Sequence, residues 1–234
     1  MKTVVLDIET IPNVEAMSRA RYVPEPGEFA PWPLHEIVCA SVFTVESSAY
    51  EQSRFDLLSF SRRKMTEAGI VASVERAVED AQQIVTYNGQ AFDLPVLVTR
   101  ALVHELHAPT LARLSDRCRP GLHMDVHERI RGSNAGVKLA HLCAAFGIPA
   151  KEGGDGRCVA DLADAGDWIA IEHYCETDVI ATWLLAAMWD SRDLPGHGAA
   201  RWLELSRWLA EQLINNPYLV GYSTTRAPRL EMRL

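Results

Sequence analysis

Residues 3–9 of the chain, Thr3-Val-Val-Leu-Asp7-Ile-Glu9, decide the fold that we expect. The run is rich in β-branched residues and almost continuously apolar, which is typical of a buried strand. Residues two apart on a strand point to the same face, so Asp7 and Glu9 lie side by side. Two carboxylates at the end of a buried strand repel one another unless a cation lies between them. A strand that simply leaves the core at Glu9 also fits this short pattern.

Outward from this strand, the apolar pattern alternates between strands and helices. It predicts further strands at 37–44, 49–55, 84–87 and 121–126, and helices at 71–82, 94–106, 137–146, 167–189 and 199–214. The proline-rich stretch 12–36 is expected to be a loop with short helical pieces. This order predicts an α/β fold, in which a mixed central sheet is flanked by helices.

Composition and cysteine usage indicate an ordinary globular protein of the cytoplasm. Hydrophobic residues make up 48% and charged residues 23% of the 234 residues. The longest apolar run of the C-terminal half, 183–189, is too short to cross a membrane, so we expect no membrane partner. The first residues reach Asp7 too soon for a signal peptide. Five cysteines without a CxxC pair argue against a disulfide framework, which favours a reducing cytoplasm.

The charge of −8 is unevenly distributed along the chain. Residues 100–151 carry a net charge of +4, which leaves −12 on the rest of the chain. A single basic region on an acidic protein suits an enzyme that binds a phosphate backbone locally. A solvated basic face explains the charge equally well.

The segment Asn88-Gly-Gln-Ala-Phe-Asp93-Leu-Pro95 joins a short strand to a helix through a glycine turn. Asp93 fits an N-cap, because aspartate is favoured there and Pro95 suits the first helical turn. Asp93 also fits a carboxylate that faces Asp7 and Glu9 from the neighbouring strand end. Asn88 either binds substrate or braces the turn.

The segment Tyr174-Cys-Glu-Thr-Asp178 lies within the longest predicted helix. Positions i and i+4 share one helix face, so a phenol and a carboxylate here can act together at a metal site. An amphipathic helix with a half-buried tyrosine is the alternative. His123-Met-Asp125-Val-His127 offers a further candidate metal cluster if it forms a strand, although a polar strand edge explains it better.

Together these strings resemble the three exonuclease motifs of the DEDD superfamily, in its tyrosine-bearing branch. They are most similar to the stand-alone exonucleases related to the proofreading domain of family B DNA polymerases. The resemblance covers about residues 1–190 and includes residues 139–149 and Gly154-Asp155-Gly156. It implies a ribonuclease H-like exonuclease domain over 1–195, followed by a C-terminal helical extension and tail over 196–234.

The resemblance also implies a 3′→5′ exonuclease that hydrolyses terminal phosphodiester bonds of nucleic acid with two divalent cations, Mg²⁺ or Mn²⁺. In that arrangement the acids Asp7, Glu9, Asp93 and Asp178 hold the metals, and Asp7 bridges both. Tyr174 orients the attacking water. The expected substrate contacts are Thr10, Ile11, Asn88 and Phe92. Single-stranded DNA is the expected substrate and DNA repair the expected setting.

Several alternatives remain open from the sequence. A sister branch of the superfamily uses a histidine five residues before the last aspartate, and His173 has that spacing from Asp178. Helical geometry favours Tyr174, because four residues bring a side chain back to the same face. An exoribonuclease, a ribonuclease H or integrase-like endonuclease, and an inactive nucleic-acid-binding module would each retain the fold.

Overall fold

The structure is a computed structural model that describes residues 1–25, 27–48, 52–115, 121–149 and 158–224. Five strands form one sheet: β1 (Lys2–Pro12), β2 (His35–Glu46), β3 (Arg54–Ser61), β4 (Gln83–Thr86) and β5 (His123–Asp125). The helices before β5 are α1 (Val14–Ala20), α2 (Glu67–Val78), α3 (Asp93–Val103) and α4 (Pro109–Ser115). Those after it are α5 (Val126–Arg131), α6 (Leu139–Phe146), α7 (Cys158–Asp164), α8 (Trp168–Asp190), α9 (His197–Gln212) and α10 (Val220–Thr224). Among the described helices, none combines the length and apolar character that crossing a bilayer requires.

The sheet has the strand order β3-β2-β1-β4-β5 and is mixed. Strand β1 pairs antiparallel with β2 on one side and parallel with β4 on the other. The pairing with β4 covers only Thr3 to Val5, so β1 continues well beyond the end of its parallel neighbour. In open α/β sheets, ligands bind beyond the carboxyl ends of parallel strands. The sequence prediction of an α/β fold with a mixed central sheet is therefore confirmed.

Each face of β1 packs on a different set of helices. Val4, Leu6 and Ile8 belong to a core that includes residues of α2, α3 and α4. Val5 belongs to a second core with residues of α8 and α9. Because strand side chains alternate between faces, Asp7 and Glu9 lie on the α8 side. Helix α8 is apolar around most of its circumference, since it lies between the sheet and α9.

Helices α9 and α10 continue the core on the α8 side. Trp202, Leu205 and Leu209 of α9 are buried in the same cluster as Val5 and Phe43 of the sheet. Tyr222 of α10 donates a hydrogen bond to the carbonyl of Thr177 in α8, 3.1 Å away. The division of the chain at residue 195 stays a prediction.

Glu67, the first residue of α2, is the centre of a buried polar network on the other face. Its carboxylate accepts hydrogen bonds from Arg100 (Nε, 2.7 Å) and from the backbone of Ile37 (2.7 Å), and it also contacts His104. Burial alone would raise the pKa of Glu67. The hydrogen bonds from Arg100, Ile37 and His104 outweigh it and lower that pKa. The network ties α2 to α3 and to β2.

The structure corrects several element boundaries predicted from the sequence. The third strand was expected at 49–55 but runs over Arg54–Ser61, because its alternation of exposed and half-buried residues begins at Arg54. Residues 49–51 lie outside the described residues. Helix α2 begins before residue 71 because Thr66 caps it, accepting from the backbone of Gly69 at 3.2 Å. Helices α4 and α7 were not predicted, because each spans only seven residues.

Candidate active site

Strand β1 presents the first two acids at the edge of a cavity. Asp7 is half-buried and Glu9 is buried, and both line that cavity. The register of β1 against β2 shifts after Glu9, which pairs with Cys39, whereas Thr10 pairs with Ile37. This irregularity leaves one extra residue in β2 and twists the strand locally, as bulges beside active sites commonly do.

The turn after β4 delivers the third acid. Asn88 adopts a left-handed backbone conformation with φ +62°, and the backbone N–H groups of Ala91 and Phe92 bond to its carbonyl. Gly89 is required at the next position, because a Cβ there would lie 2.5 Å from the side chain of Thr86. The tight turn brings the chain straight into α3, whose first residue is Asp93.

The Asp93 carboxylate points at β1 and does not cap its own helix. Its Oδ1 accepts a hydrogen bond from the backbone N–H of Ile8, 3.2 Å away, beyond the end of the β1–β4 pairing. Phe92 is the N-cap of α3 and Asp93 is its first helical residue, so the interpretation of Asp93 as an N-cap is wrong. Burial, together with the negative charges of Asp125 and Asp178, raises the pKa of Asp93 to about 7, although two backbone hydrogen bonds act to lower it. This location therefore carries an excess of negative charge.

Asp125, which was predicted only as part of a candidate metal cluster or a polar strand edge, organises the turn that carries Asp93. Its buried carboxylate accepts from the backbone N–H of Asn88 at 2.9 Å and of Gln90 at 3.0 Å. It also caps α5 by accepting from Glu128 N at 3.3 Å. Because α5 begins at Val126, His127 leaves the strand, and the expectation that residues 123, 125 and 127 share one strand face is wrong.

Helix α8 supplies the tyrosine and the fourth acid. Tyr174 and Asp178 both line the cavity, one helical turn apart. His173 instead stacks on the ring of Tyr218, with 3.7 Å between ring centroids. Cys175 donates hydrogen bonds from its thiol to the carbonyl and the Oδ2 of Asp7, each at 3.4 Å.

A strap of three residues, Gly136-Val137-Lys138, forms the opposite wall of the cavity. Tyr87 donates its hydroxyl hydrogen bond to the carbonyl of Val137 at 2.6 Å, and the N–H of Val137 donates to Nε2 of His127 at 3.2 Å. Both backbone groups of Val137 are therefore held by side chains from other elements. The exposed Lys138 and the first residues of α6 lie against the cavity as a result.

The cavity has a volume of about 740 Å³ and collects most of the residues singled out in the sequence. The predicted site residues that line it are Asp7, Glu9, Asn88, Phe92, Asp93, Tyr174 and Asp178. Thr10 is buried, and its hydroxyl bonds to Nδ1 of His35 at 2.9 Å. Ile11 packs against the buried cluster that includes Val38, Cys39 and Ile171. Gly154-Asp155-Gly156 lies outside the described residues.

The ligand atoms at this site suit a hard divalent cation. Ligand atoms of Asp7, Glu9 and Cys175 lie within 4.8 Å of one another, and Asp93 and Asp178 line the same cavity beyond that group. Burial, Cys39 and the charges of Asp7 and Glu9 raise the pKa of the Cys175 thiol, so it remains a hydrogen-bond donor. Carboxylate oxygens are the ligands that Mg²⁺ and Mn²⁺ prefer. A cation would also relieve the charge that raises the pKa of Asp93.

Comparison with known proteins gives a family and a fold. Residues 27–190 match a family described as "Predicted 3'-5' exonuclease related to the exonuclease domain of PolB". The family B DNA polymerase from the hyperthermophilic archaeon Pyrobaculum calidifontis is similar in structure, with a TM-score of 0.54 and 17% identity over 81% of this chain and 24% of that chain. Exonuclease I in complex with the inhibitor BCBP is also similar, with a TM-score of 0.50 and 12% identity over 82% of this chain and 41% of that chain. No curated protein sequence matches significantly.

The two structural relatives are much longer than this chain, which spans 24% of the polymerase and 41% of exonuclease I. At these low identities the similarity concerns the fold. It confirms the ribonuclease H-like arrangement expected from the sequence.

Proposed function

Because the chain belongs to the family of predicted 3′–5′ exonucleases related to the exonuclease domain of PolB, we propose that it removes nucleotides from the 3′ end of single-stranded DNA. Its class is that of a 3′–5′ exonuclease. One observation carries this proposal. Four carboxylates from β1, α3 and α8, namely Asp7, Glu9, Asp93 and Asp178, line a single cavity beyond the end of β4.

These four acids would hold two divalent cations, Mg²⁺ or Mn²⁺. When bound, such cations activate water at neutral pH and stabilise the charge that develops on the phosphoryl group. Asp7 lies between the two sides of the site, since its thiol partner Cys175 is on α8 and its strand neighbour Ile8 bonds to Asp93. It is therefore the acid that we assign to both cations.

Tyr174 orients the attacking water through its hydroxyl group. Its place on the cavity wall, one turn before Asp178, supports this role. The imidazole of His173 stacks on Tyr218, which lies between α9 and α10, and His173 does not line the cavity; this supports the tyrosine over the histidine branch.

The walls of the cavity suit one nucleotide at the end of a strand. A volume of about 740 Å³ is in the range of small-molecule pockets, which suits a single nucleotide better than a base pair. Lys138 offers a cation to the phosphate from the wall formed by the strap. A duplex end must therefore fray before its terminal nucleotide enters.

The test is cleavage of oligonucleotides labelled at the 3′ or the 5′ end, as DNA and RNA, single- and double-stranded, with Mg²⁺, Mn²⁺ or EDTA. We expect a ladder of single-nucleotide steps from the 3′ end of single-stranded DNA, slower cleavage of blunt duplex, and no cleavage in EDTA. The Asp7→Ala variant should be inactive, and the matched surface variant Asp164→Ala should be unaffected, since Asp164 is exposed. A ladder from the 5′ end or cleavage of a circular strand would overturn the proposal. Faster cleavage of RNA would reassign the substrate.

A further inference from the structure

The segment between α1 and β2 places a half-exposed aromatic ring in the cavity. Phe29 is 48% exposed. Single exposed apolar residues are ordinary on a protein surface, so it is the location of this ring that carries information. Its side chain lines the same cavity as Asp7 and Glu9. Phe29 lies outside all three acidic segments.

The ring of Phe29 is held from behind by His35. The two rings are stacked, with centroids 4.5 Å apart and planes inclined by 28°. The buried His35 donates from Nε2 to the carbonyl of Ala30 at 3.0 Å, and its Nδ1 accepts from the hydroxyl of Thr10 at 2.9 Å. Burial lowers the pKa of His35, and a neutral imidazole with its proton on Nε2 makes both hydrogen bonds. Phe29 is therefore anchored to β1 one residue after Glu9.

Phe92 completes a cluster of three rings between the two acid-bearing segments. Its centroid is 5.5 Å from that of Phe29 and 5.5 Å from that of His35. Phe92 immediately precedes Asp93 and also lines the cavity. The cluster thus links the segment between α1 and β2 to both sides of the acidic site. Its geometry is fixed before any ligand arrives, which lowers the entropy lost on binding.

A flat ligand face suits this cluster. His35 covers one face of Phe29, and the exposed remainder of the ring belongs to the cavity wall. Carboxylates line the floor beside it, so the ligand combines a planar apolar part with a group that reaches bound cations. A nucleobase joined to its phosphate has this combination, and base–aromatic stacking tolerates any base because every base has a π face.

We propose that Phe29 is the platform on which the base of the 3′-terminal nucleotide stacks, with Phe92 at its edge. This inference rests on the proposed function and adds a requirement to it. The enzyme recognises the presence of an unpaired terminal base and not its identity. A 3′ end that has lost its base is consequently a poor substrate.

The test compares a single-stranded DNA oligonucleotide with the same oligonucleotide carrying a tetrahydrofuran abasic residue at its 3′ end. The proteins are the wild type, Phe29→Ala, Phe29→Trp and, as control, Trp32→Ala. Trp32 is a 39% exposed aromatic residue of the same segment that does not line the cavity. Both kcat/KM with Mg²⁺ and the Kd in EDTA are measured.

We expect Phe29→Ala to lower kcat/KM on the normal end about 5- to 100-fold, the range for loss of one base stack. On the abasic end the wild type should already show this loss, and Phe29→Ala should add nothing. Phe29→Trp and Trp32→Ala should resemble the wild type. Equal losses from Phe29→Ala on both ends, or no loss on either, would overturn the proposal.

The affinity in EDTA separates this inference from the proposed function. A wild type that binds the normal end more tightly than the abasic end, but cleaves neither, would refute the exonuclease and keep the platform. A wild type that cleaves both ends equally would keep the exonuclease and refute the platform.

Discussion

Two carboxyl groups of this chain, Glu67 and Asp93, have the same small solvent exposure but partners of opposite charge. Each is 5% exposed, and each is the first residue of a helix, α2 and α3 respectively. Glu67 meets the guanidinium of Arg100 and has a lowered pKa. Burial, as the largest cause, and the negative charges of Asp125 and Asp178 raise the pKa of Asp93 to about 7. Burial acts to raise the pKa of both carboxyl groups, and the partners decide whether that rise persists.

The contrast separates a structural acid from an acid that suits an external cation. Glu67 receives its positive charge from the chain itself, so its carboxylate stabilises the packing of α2 on α3. Asp93 lies where three segments bring acids to one cavity, which costs stability in the absence of a cation. The two residues should consequently respond in opposite ways to loss of their charge.

Asp93→Asn should cause the largest loss of activity, and it tests the contrast with Glu67 most directly. Asparagine keeps the acceptor for Ile8 N–H and removes the negative charge. We expect kcat to fall by about 10⁴-fold, the upper end of the range for one positioned catalytic group. Steady-state cleavage of a 3′-labelled strand measures it. Activity within tenfold of the wild type would contradict the assignment of Asp93.

The same variant should be more stable than the wild type when metal is removed. Because the pKa of Asp93 is higher in the folded state, the free energy of unfolding falls as the pH rises from about 4 toward 7. Asp93→Asn lacks this fall and should gain at most about 4 kcal/mol at pH 8, with no gain below pH 4. Thermal melts in EDTA at the two pH values check it, and a variant that melts lower at pH 8 would refute it.

Glu67→Gln should show the reverse pattern. The change leaves Arg100 buried without its counter-charge, and breaking such a pair typically costs about 3–5 kcal/mol. Activity per folded molecule should stay near that of the wild type, because Glu67 does not line the cavity and lies on the sheet face opposite Asp7 and Glu9. Urea unfolding measures the stability. Glu79→Gln, at the exposed end of the same helix, is the matched control and should change little.

Tyr174→Phe tests the catalytic side of α8 with a smaller change. Removing one hydroxyl should lower kcat by about 10²-fold, the lower end of the range for a positioned group. The KM should change little if the interaction matters mainly in the transition state. His173→Ala, which disturbs only the stack on Tyr218, is the comparison. If His173→Ala lowers kcat strongly and Tyr174→Phe leaves it unchanged, the assignment to the histidine branch is correct.

Among the variants at the acidic site, Asp125→Asn gives the smallest expected loss of activity. Asp125 touches the turn around Asn88 and Gln90 and acts on Asp93 through it, so we expect a loss of about 10–100-fold, as for partners that orient a ligand. Because Asp125 also raises the pKa of Asp93, the variant should lower that pKa. The pKa of Asp93 is obtained from the pH at which the stability of the metal-free protein changes. An unchanged pH dependence would contradict the electrostatic link.

The sequence predicted those parts of the site that short patterns encode. The almost continuous apolar run of Val4, Val5 and Leu6 predicted the strand that carries Asp7 and Glu9. The i, i+4 spacing predicted that Tyr174 and Asp178 share a face, and both line the cavity. Such spacings depend only on backbone geometry, which a single segment determines.

Features that depend on contacts between distant segments could not be predicted. Asp93 resembled a helix cap because the partner of its carboxylate, Ile8, is 85 residues away in the chain. The strap around Val137 is defined by Tyr87 and His127, which no local pattern relates to it. Phe29 lies in a proline-rich segment without periodicity, and only the stack on His35 reveals its place.

Counting bound Mn²⁺ tests the central claim most directly, because the account requires four acids to hold two cations. Electron paramagnetic resonance of a Mn²⁺ titration, with a nucleoside 5′-monophosphate present, reports the ions bound per chain. We predict two ions for the wild type, one for Asp93→Asn and almost none for Asp7→Asn. A wild type that binds no ion, or an Asp7→Asn variant that retains both, would contradict it.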